Sequence, residues 1–142
     1  MSLPASGYVF DSLAILALGT QGTLLRTLSR FITRATRDEG PPIIIPALCL
    51  ADAAASRKYL FEYVGNLITM APPATIMLAP VDLGATADMS VLRDRFPGID
   101  WPVLHAVREA PMPLDPEIPD RTLVTLDRGL YRGLPVGDLD EI

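Results

Sequence analysis

The 142-residue chain has very little of the residue types that build disulfides and histidine-based sites. It contains one cysteine, Cys49, one histidine, His105, and one lysine, Lys58. A single cysteine excludes an internal disulfide and is typical of a reducing compartment. A single histidine excludes a metal site built from several histidines. We interpret Cys49 as a core residue and His105 as a structural helix residue, with a place at the rim of a site as the alternative for His105.

The sequence also has no uninterrupted apolar run of membrane-spanning length. The longest uncharged stretch, residues 63–81, is interrupted by Asn66 and by prolines, whereas a spanning helix needs roughly 20 mostly apolar residues. No basic segment precedes the apolar residues near the start, so a signal peptide is not expected. These features predict a soluble, cytoplasmic protein without a membrane partner.

Positive charge is scarce and consists almost entirely of arginine. The formal net charge is −5 and the sequence pI is about 4.7, so the overall field of the protein does not attract polyanions. If a nucleic acid were the ligand, it would have to be bound locally, through arginines or metal ions. The sequence contains no Walker-type loop and no Gly-x-Gly-x-x-Gly segment, which argues against a nucleotide cofactor.

Hydrophobic patterns predict strands and helices that alternate within a single domain covering residues 1–142. The predicted strands are 8–10, 43–45, 75–78, 121–125 and 135–139. The predicted helices are 23–36, 46–63, 83–96 and 100–111, and residues 112–119 are predicted to form a proline-rich loop. This order is typical of an α/β fold with a mainly parallel sheet covered on both faces. Ligands of such folds bind at the carboxyl ends of the strands.

Four aspartates lie at or near the predicted strand ends and helix starts. Asp11 directly follows the first strand, and Asp127 follows the strand 121–125. Asp52 lies among apolar or small neighbours in the helix after the second strand, and Asp100 begins a later helix. Charged groups rarely occupy apolar surroundings unless they are paired or bind a metal. Carboxylates that converge at one sheet edge would repel one another without a cation, and Mg²⁺ or Mn²⁺ prefers such oxygen ligands.

Simpler roles stay open for several of these residues. Asp127 could be a turn residue, and Asp100 could cap its helix, with Pro102 in the first turn. The hydroxyl of Thr125 could bond Asp11 or Asp127, or the residue could simply occupy a strand position. We interpret Trp101 as a packing residue rather than a platform on which a base stacks.

Each of the four aspartates lies in a short segment of mostly apolar and small residues, and the order of these segments along the chain is informative. Residues 8–18 read YVFDSLAILAL, 43–52 read IIIPALCLAD, 98–107 read GIDWPVLHAV and 122–131 read TLVTLDRGLY. Together, and across nearly the whole chain, they resemble the PIN-domain family, and within it the VapC-like toxin ribonucleases of bacteria. The resemblance implies a three-layer, Rossmann-like fold.

The resemblance also implies an activity, a metal and partners. The activity would be Mg²⁺- or Mn²⁺-dependent hydrolysis of RNA phosphodiester bonds by the toxin of a toxin–antitoxin pair, which would form a homodimer and bind an antitoxin protein. The implied metal-binding and catalytic residues are Asp11, Asp52, Asp100 and Asp127, with Ser12, Thr125 and Arg128 in supporting roles.

Two positions depart from the family pattern. Asp52 stands where the family usually has glutamate, and Leu13 stands where it usually has serine or threonine. The alternative is therefore a catalytically degenerate PIN-fold protein that binds RNA or another protein. A phosphoacceptor signalling domain is disfavoured, because it needs a lysine at the end of a late strand and Lys58 lies in a mid-chain helix.

Overall fold

A computed structural model describes residues 6–112 and 121–142 of the chain. In these two ranges the helices are α1 (Ser12–Ala17), α2 (Thr23–Thr36), α3 (Ala47–Ser56), α4 (Tyr59–Met70), α5 (Leu83–Arg95) and α6 (Trp101–Glu109), with one 3₁₀ turn at Arg128–Tyr131. The strands are β1 (Gly7–Phe10), β2 (Ile43–Pro46), β3 (Ile76–Ala79), β4 (Arg121–Thr125) and β5 (Asp138–Glu141). Most of the predicted loop 112–119 lies outside the described residues.

The five strands form one parallel sheet in the order β3-β2-β1-β4-β5. The register places Val9 of β1 between Ile44 of β2 and Leu123 of β4. Parallel strands need crossover connections, and helices supply them here. The predicted α/β class and the mainly parallel, Rossmann-like sheet are therefore confirmed.

Helices cover the sheet because its central strands are apolar on both sides. All four residues of β2 are buried, and successive side chains of a strand point to opposite faces, so both faces must be covered. Helix α6 packs against β1, β2 and β4, while α2 packs against β2 and β3. No helix in residues 6–112 or 121–142 has the length and apolar character needed to cross a membrane.

One predicted helix, 46–63, is wrong, because the chain forms two helices there. Arg57 adopts an extended conformation (φ −139°, ψ 96°) and ends α3. Its Nη1 donates a hydrogen bond of 2.7 Å to the carbonyl of Gly19, and the Tyr59 hydroxyl donates one of 2.9 Å to the same oxygen. The break is thus stabilised by a loop that lies 38 residues away along the chain.

The last strand begins later than the predicted 135–139. Pro135 has no N–H to donate to a ladder, and Val136 forms an isolated antiparallel bridge with Pro111 instead. The strand β5 starts at Asp138 and lies at the edge of the sheet, where Asp138, Asp140 and Glu141 are exposed. Charged side chains of this kind discourage edge-to-edge association.

Candidate functional site

A cavity of about 340 Å³ lies beyond the carboxyl ends of the central strands. The chain runs from β1 to β2 on one side and reaches β4 on the other, so the strand order reverses at β1. Open α/β sheets bind ligands at such a switch point. The cavity is lined by Asp11, Ser12, Leu13, Asp52, Asp100, Trp101, Pro102, Val103, Leu130 and Tyr131. Three of the four predicted acids and Ser12 therefore share one cavity.

Asp11 is the buried acid of this cavity, with 2% of its surface exposed. It directly follows β1 and caps α1, where Oδ1 accepts a hydrogen bond of 2.9 Å from the Ala14 backbone N–H. The Tyr131 hydroxyl donates to Oδ2 at 2.7 Å. Burial raises the pKa of Asp11, and hydrogen bonds from Thr125, Ala14 and Tyr131 partly oppose that rise. The hydrogen bonds thus fix the orientation of the carboxylate, while its burial disfavours the ionised form.

Asp52 does not have the buried, apolar surroundings that its sequence neighbours predicted. It is exposed on α3, whose buried face consists of Cys49, Leu50 and Ala53. The sequence neighbour Ala51 is itself exposed, because alanine is tolerated at a helix surface. Because Asp52 is exposed to solvent, its charge can be stable at this position without a bound cation. Its connection to Asp11 is that both residues line the same cavity.

Asp100 occupies the N-cap position of α6 without acting as a cap. Its side chain makes no capping hydrogen bond, and Pro102 lies in the first turn, as predicted. Within the described ranges, neither Asp100 nor Asp52 has a hydrogen bond or an ion pair. Both carboxylates are therefore free to bind a ligand in the cavity.

Asp127, the fourth predicted acid, has the turn role that the sequence left open. Its Oδ1 accepts a hydrogen bond of 3.0 Å from Gly129 and caps the 3₁₀ turn. It is exposed and does not contribute to the cavity lining. The buried Thr125 lies between the two acids: its Oγ1 accepts from the Asp127 backbone N–H at 3.1 Å, and its hydroxyl lowers the pKa of Asp11.

Arg128, predicted to support the site, is also outside the cavity lining. Its guanidinium donates to the Leu139 carbonyl at 3.3 Å, and its backbone N–H donates to Glu141 Oε2 at 2.7 Å. These contacts attach the 3₁₀ turn to β5.

The cavity lining also includes Tyr131, which the sequence interpretation missed, and Trp101, for which it preferred a packing role. Tyr131 is buried. Its burial is the largest cause that raises the pKa of its hydroxyl, and the negative charge of Asp11 is the second. The hydroxyl therefore stays protonated as the donor to Asp11. Trp101 lines the cavity and keeps 45% of its surface exposed, so its ring is only partly packed against the protein. The only signals for these roles were the Tyr that ends the fourth segment and the Trp that follows Asp100.

Cys49 and His105 are core residues, as interpreted. Both are fully buried. Cys49 Sγ donates to the carbonyl of Pro102 at 3.2 Å, and burial raises the pKa of the thiol. His105 Nδ1 accepts a hydrogen bond of 3.3 Å from the Leu48 backbone N–H. Neither side chain lines the cavity.

The donor chemistry of the cavity suits a hydrated Mg²⁺ or Mn²⁺. Within residues 6–112 and 121–142, no group of three or more His, Cys, Asp or Glu side chains is arranged to hold a metal. Mg²⁺, however, is commonly bound by one or two carboxylates and keeps several waters. Asp11 uses only part of its acceptor capacity, and Asp52 and Asp100 have theirs unused.

Neither the models of known protein families nor the curated proteins include a match to this chain. The resemblance to PIN domains therefore depends on the four sequence segments alone.

Proposed function

We propose that the protein is a Mg²⁺- or Mn²⁺-dependent ribonuclease that hydrolyses RNA phosphodiester bonds at the acidic cavity. One observation supports this above all others. Asp11, Asp52 and Asp100 come from three segments far apart in the sequence, yet they line one cavity at the switch point of the sheet. Several acids at such an edge are the ligand set that hard divalent ions prefer.

Of the three carboxylates that line the cavity, one is held by hydrogen bonds and two are not. Asp11 is held by Tyr131 and by the first turn of α1, so it would position a metal ion. Asp52 and Asp100, which have no partner among the described residues, would bind the ion directly or through its waters. A bound divalent ion would supply an activated water and stabilise the charge that develops on the phosphate.

The test is cleavage of a labelled single-stranded RNA by the purified protein. We expect cleavage with millimolar Mg²⁺ or Mn²⁺ and none in excess EDTA. Asp11→Asn, Asp52→Asn and Asp100→Asn should each lower the rate by at least tenfold, because each removes a metal ligand. The matched control is Asp94→Asn, an equally conservative change at an exposed acid of α5 outside the cavity. Its rate should equal that of the wild type.

Two outcomes would contradict the ribonuclease proposal. Cleavage that persists in EDTA would remove the metal from the mechanism. Cleavage that all three cavity variants retain would show that the activity comes from elsewhere or from a contaminating nuclease.

The second candidate function is a non-catalytic module that binds RNA or another protein. Two observations favour it. The described residues contain no group of three metal ligands, and Asp52, which is exposed, has a shorter side chain than the glutamate that the PIN-domain family usually has at this position. This candidate predicts RNA or partner binding that EDTA does not affect, together with no cleavage in either metal.

We further propose that the protein acts in the cytoplasm as a toxin, with an antitoxin protein and a second copy of itself as partners. Helix α4 exposes the aromatic side chains of Tyr59, Phe61 and Tyr63 and the side chain of Met70, which is 84% exposed. Exposed apolar surface of this kind is typical of protein interfaces. The mass in solution at micromolar concentration should be that of a dimer, and Phe61→Ser should shift it toward the monomer. A wild-type mass that is strictly monomeric would contradict the homodimer.

A further inference from the structure

The acidic cavity contains an aromatic wall that the metal chemistry does not use. Trp101 is the only tryptophan of the chain and the first residue of α6. It lines the cavity beside Asp100, and nearly half of its surface is exposed. A large apolar side chain that is half exposed inside a cavity is available for contact with a ligand.

The indole ring is supported by an arginine from the preceding helix. The guanidinium carbon of Arg93 lies 4.6 Å from the ring centroid, within the range of a cation–π interaction. Arg93 Nη1 is buried and has no hydrogen-bond partner in the part of the chain that is described. Among the described residues Arg93 has no ion pair, and its contact with the indole face limits the orientations that the ring can adopt.

The charge of the cavity indicates which part of an RNA would touch this ring. Of the described residues that line it, none is lysine or arginine, and three are aspartates. A phosphate would be repelled from such a wall in the absence of a cation, whereas a neutral, flat, aromatic group would not. At about 340 Å³ the cavity is near the lower end of the usual range for ligand pockets, roughly 300–1,000 Å³, which suits a single base.

We propose that Trp101, oriented by Arg93, forms a subsite on which one unpaired nucleobase of the substrate stacks. The inference rests on the proposed function at the same cavity and specifies how one base of the substrate is held there. A base that is paired within a duplex cannot offer its face to a protein ring, whereas bases of single strands and loops commonly stack on aromatic side chains.

The single tryptophan makes the subsite directly observable without any substitution. Titration of the wild-type protein with a short single-stranded oligoribonucleotide should quench the fluorescence of Trp101, because a stacked base contacts the indole. The buffer contains Ca²⁺ in place of Mg²⁺, so that a divalent ion still offsets the repulsion between the aspartates and the phosphates. A strand of the same length with abasic sites keeps the phosphates but lacks the bases, and it should not quench. A fully paired duplex should not quench either.

Substitutions then test the two residues through the anisotropy of a labelled oligoribonucleotide. Trp101→Leu should weaken binding by about 5- to 100-fold, the usual effect of losing one stacked base, and Trp101→Phe should retain most of the affinity. Arg93→Gln should also weaken binding. Arg95→Gln is the matched control, because it removes the same charge from the same helix but Arg95 lies over Phe96 instead of Trp101.

The outcomes separate this inference from the ribonuclease proposal. Quenching by the single strand without cleavage in Mn²⁺ would keep the base subsite and remove the nuclease. Cleavage without quenching, with Trp101→Leu as active as the wild type, would keep the nuclease and overturn the subsite. Equal quenching by the abasic strand would also overturn it, as would equal losses of affinity in Arg93→Gln and Arg95→Gln.

Discussion

At the scale of single residues, the hydrogen bond between Tyr131 and Asp11 offers the sharpest test of the site. Tyr131→Phe removes the 2.7 Å bond to Asp11 Oδ2. This donor lowers the pKa of Asp11, so its loss should raise that pKa further. Leaving the buried carboxylate without its partner should lower the free energy of unfolding by about 1–3 kcal/mol at pH 7.

The pH dependence of that loss distinguishes an effect on charge from an effect on packing. The hydroxyl stabilises the ionised form of Asp11, so the difference between wild type and Tyr131→Phe should shrink as the pH falls and Asp11 becomes protonated. Urea unfolding at pH 7 and pH 4 measures it. A difference that is the same at both pH values would indicate a purely steric role for the hydroxyl.

His105 should make the protein sensitive to mild acid. Burial lowers its pKa below the usual value, and Arg108 lowers it further, while Glu109 and Asp82 act in the opposite direction. In the unfolded chain the imidazole takes up a proton below about pH 6.5, so stability is lost as the pH falls below that value toward the folded pKa.

The variant His105→Gln separates this contribution from those of the other titrating groups. Its side-chain oxygen can still accept the Leu48 N–H bond that His105 Nδ1 accepts. We expect its free energy of unfolding to change less between pH 7.5 and pH 5.5 than that of the wild type. The same change in both proteins would mean that other groups cause the acid sensitivity.

At the scale of secondary-structure elements, the start of α5 depends on one exposed side chain. Asp82 is the N-cap of this helix, and its Oδ1 accepts a hydrogen bond of 2.8 Å from the Ala85 N–H. Asp82→Ala should cost about 1 kcal/mol and lower the Tm by about 3 °C for a domain of this size. Asp82→Ser, which restores a capping oxygen, should recover most of the loss. Equal Tm values for the alanine and serine variants would contradict the cap.

The elements also show which parts of the fold the sequence could predict. Helix α2 was predicted with its correct bounds, 23–36, because its apolar residues repeat with the helical period. The break between α3 and α4 was not predicted, because Gly19, which accepts the bonds from Arg57 and Tyr59, lies far away in the sequence.

In the site, too, features set by the local sequence could be predicted, whereas features set by contacts between distant segments could not. The position of Asp11 follows from the strand that precedes it, so sequence reasoning could place it at the sheet edge. The exposure of Asp52 depends on which face of α3 the other elements cover, and the role of Tyr131 depends on pairing between distant segments. Local sequence patterns carry no information about either contact.

At the scale of the whole molecule, a bound metal should raise the thermal stability. A ligand that binds only the native state at a hundredfold excess over its Kd adds about 2.7 kcal/mol, which corresponds to roughly 8 °C at about 3 °C per kcal/mol. Millimolar Mn²⁺ should therefore raise the Tm of the wild type by several degrees, and that of Asp11→Asn by much less. Asp94→Asn should respond like the wild type. A Tm that neither Mg²⁺ nor Mn²⁺ changes would favour the non-catalytic candidate.

The central place of β1 in the sheet has a consequence for the order in which the chain can fold. Its two neighbours are β2 and β4, and the Asp11–Tyr131 bond joins residues 120 positions apart. Contacts of such long sequence separation slow folding, because a large loop must close before they form. During synthesis, Asp11, Asp52 and Asp100 are translated before β4 and Tyr131. A nascent chain therefore carries the acids of the cavity without the strand and the donor that position Asp11, and it can assemble the site only after Tyr131 has emerged.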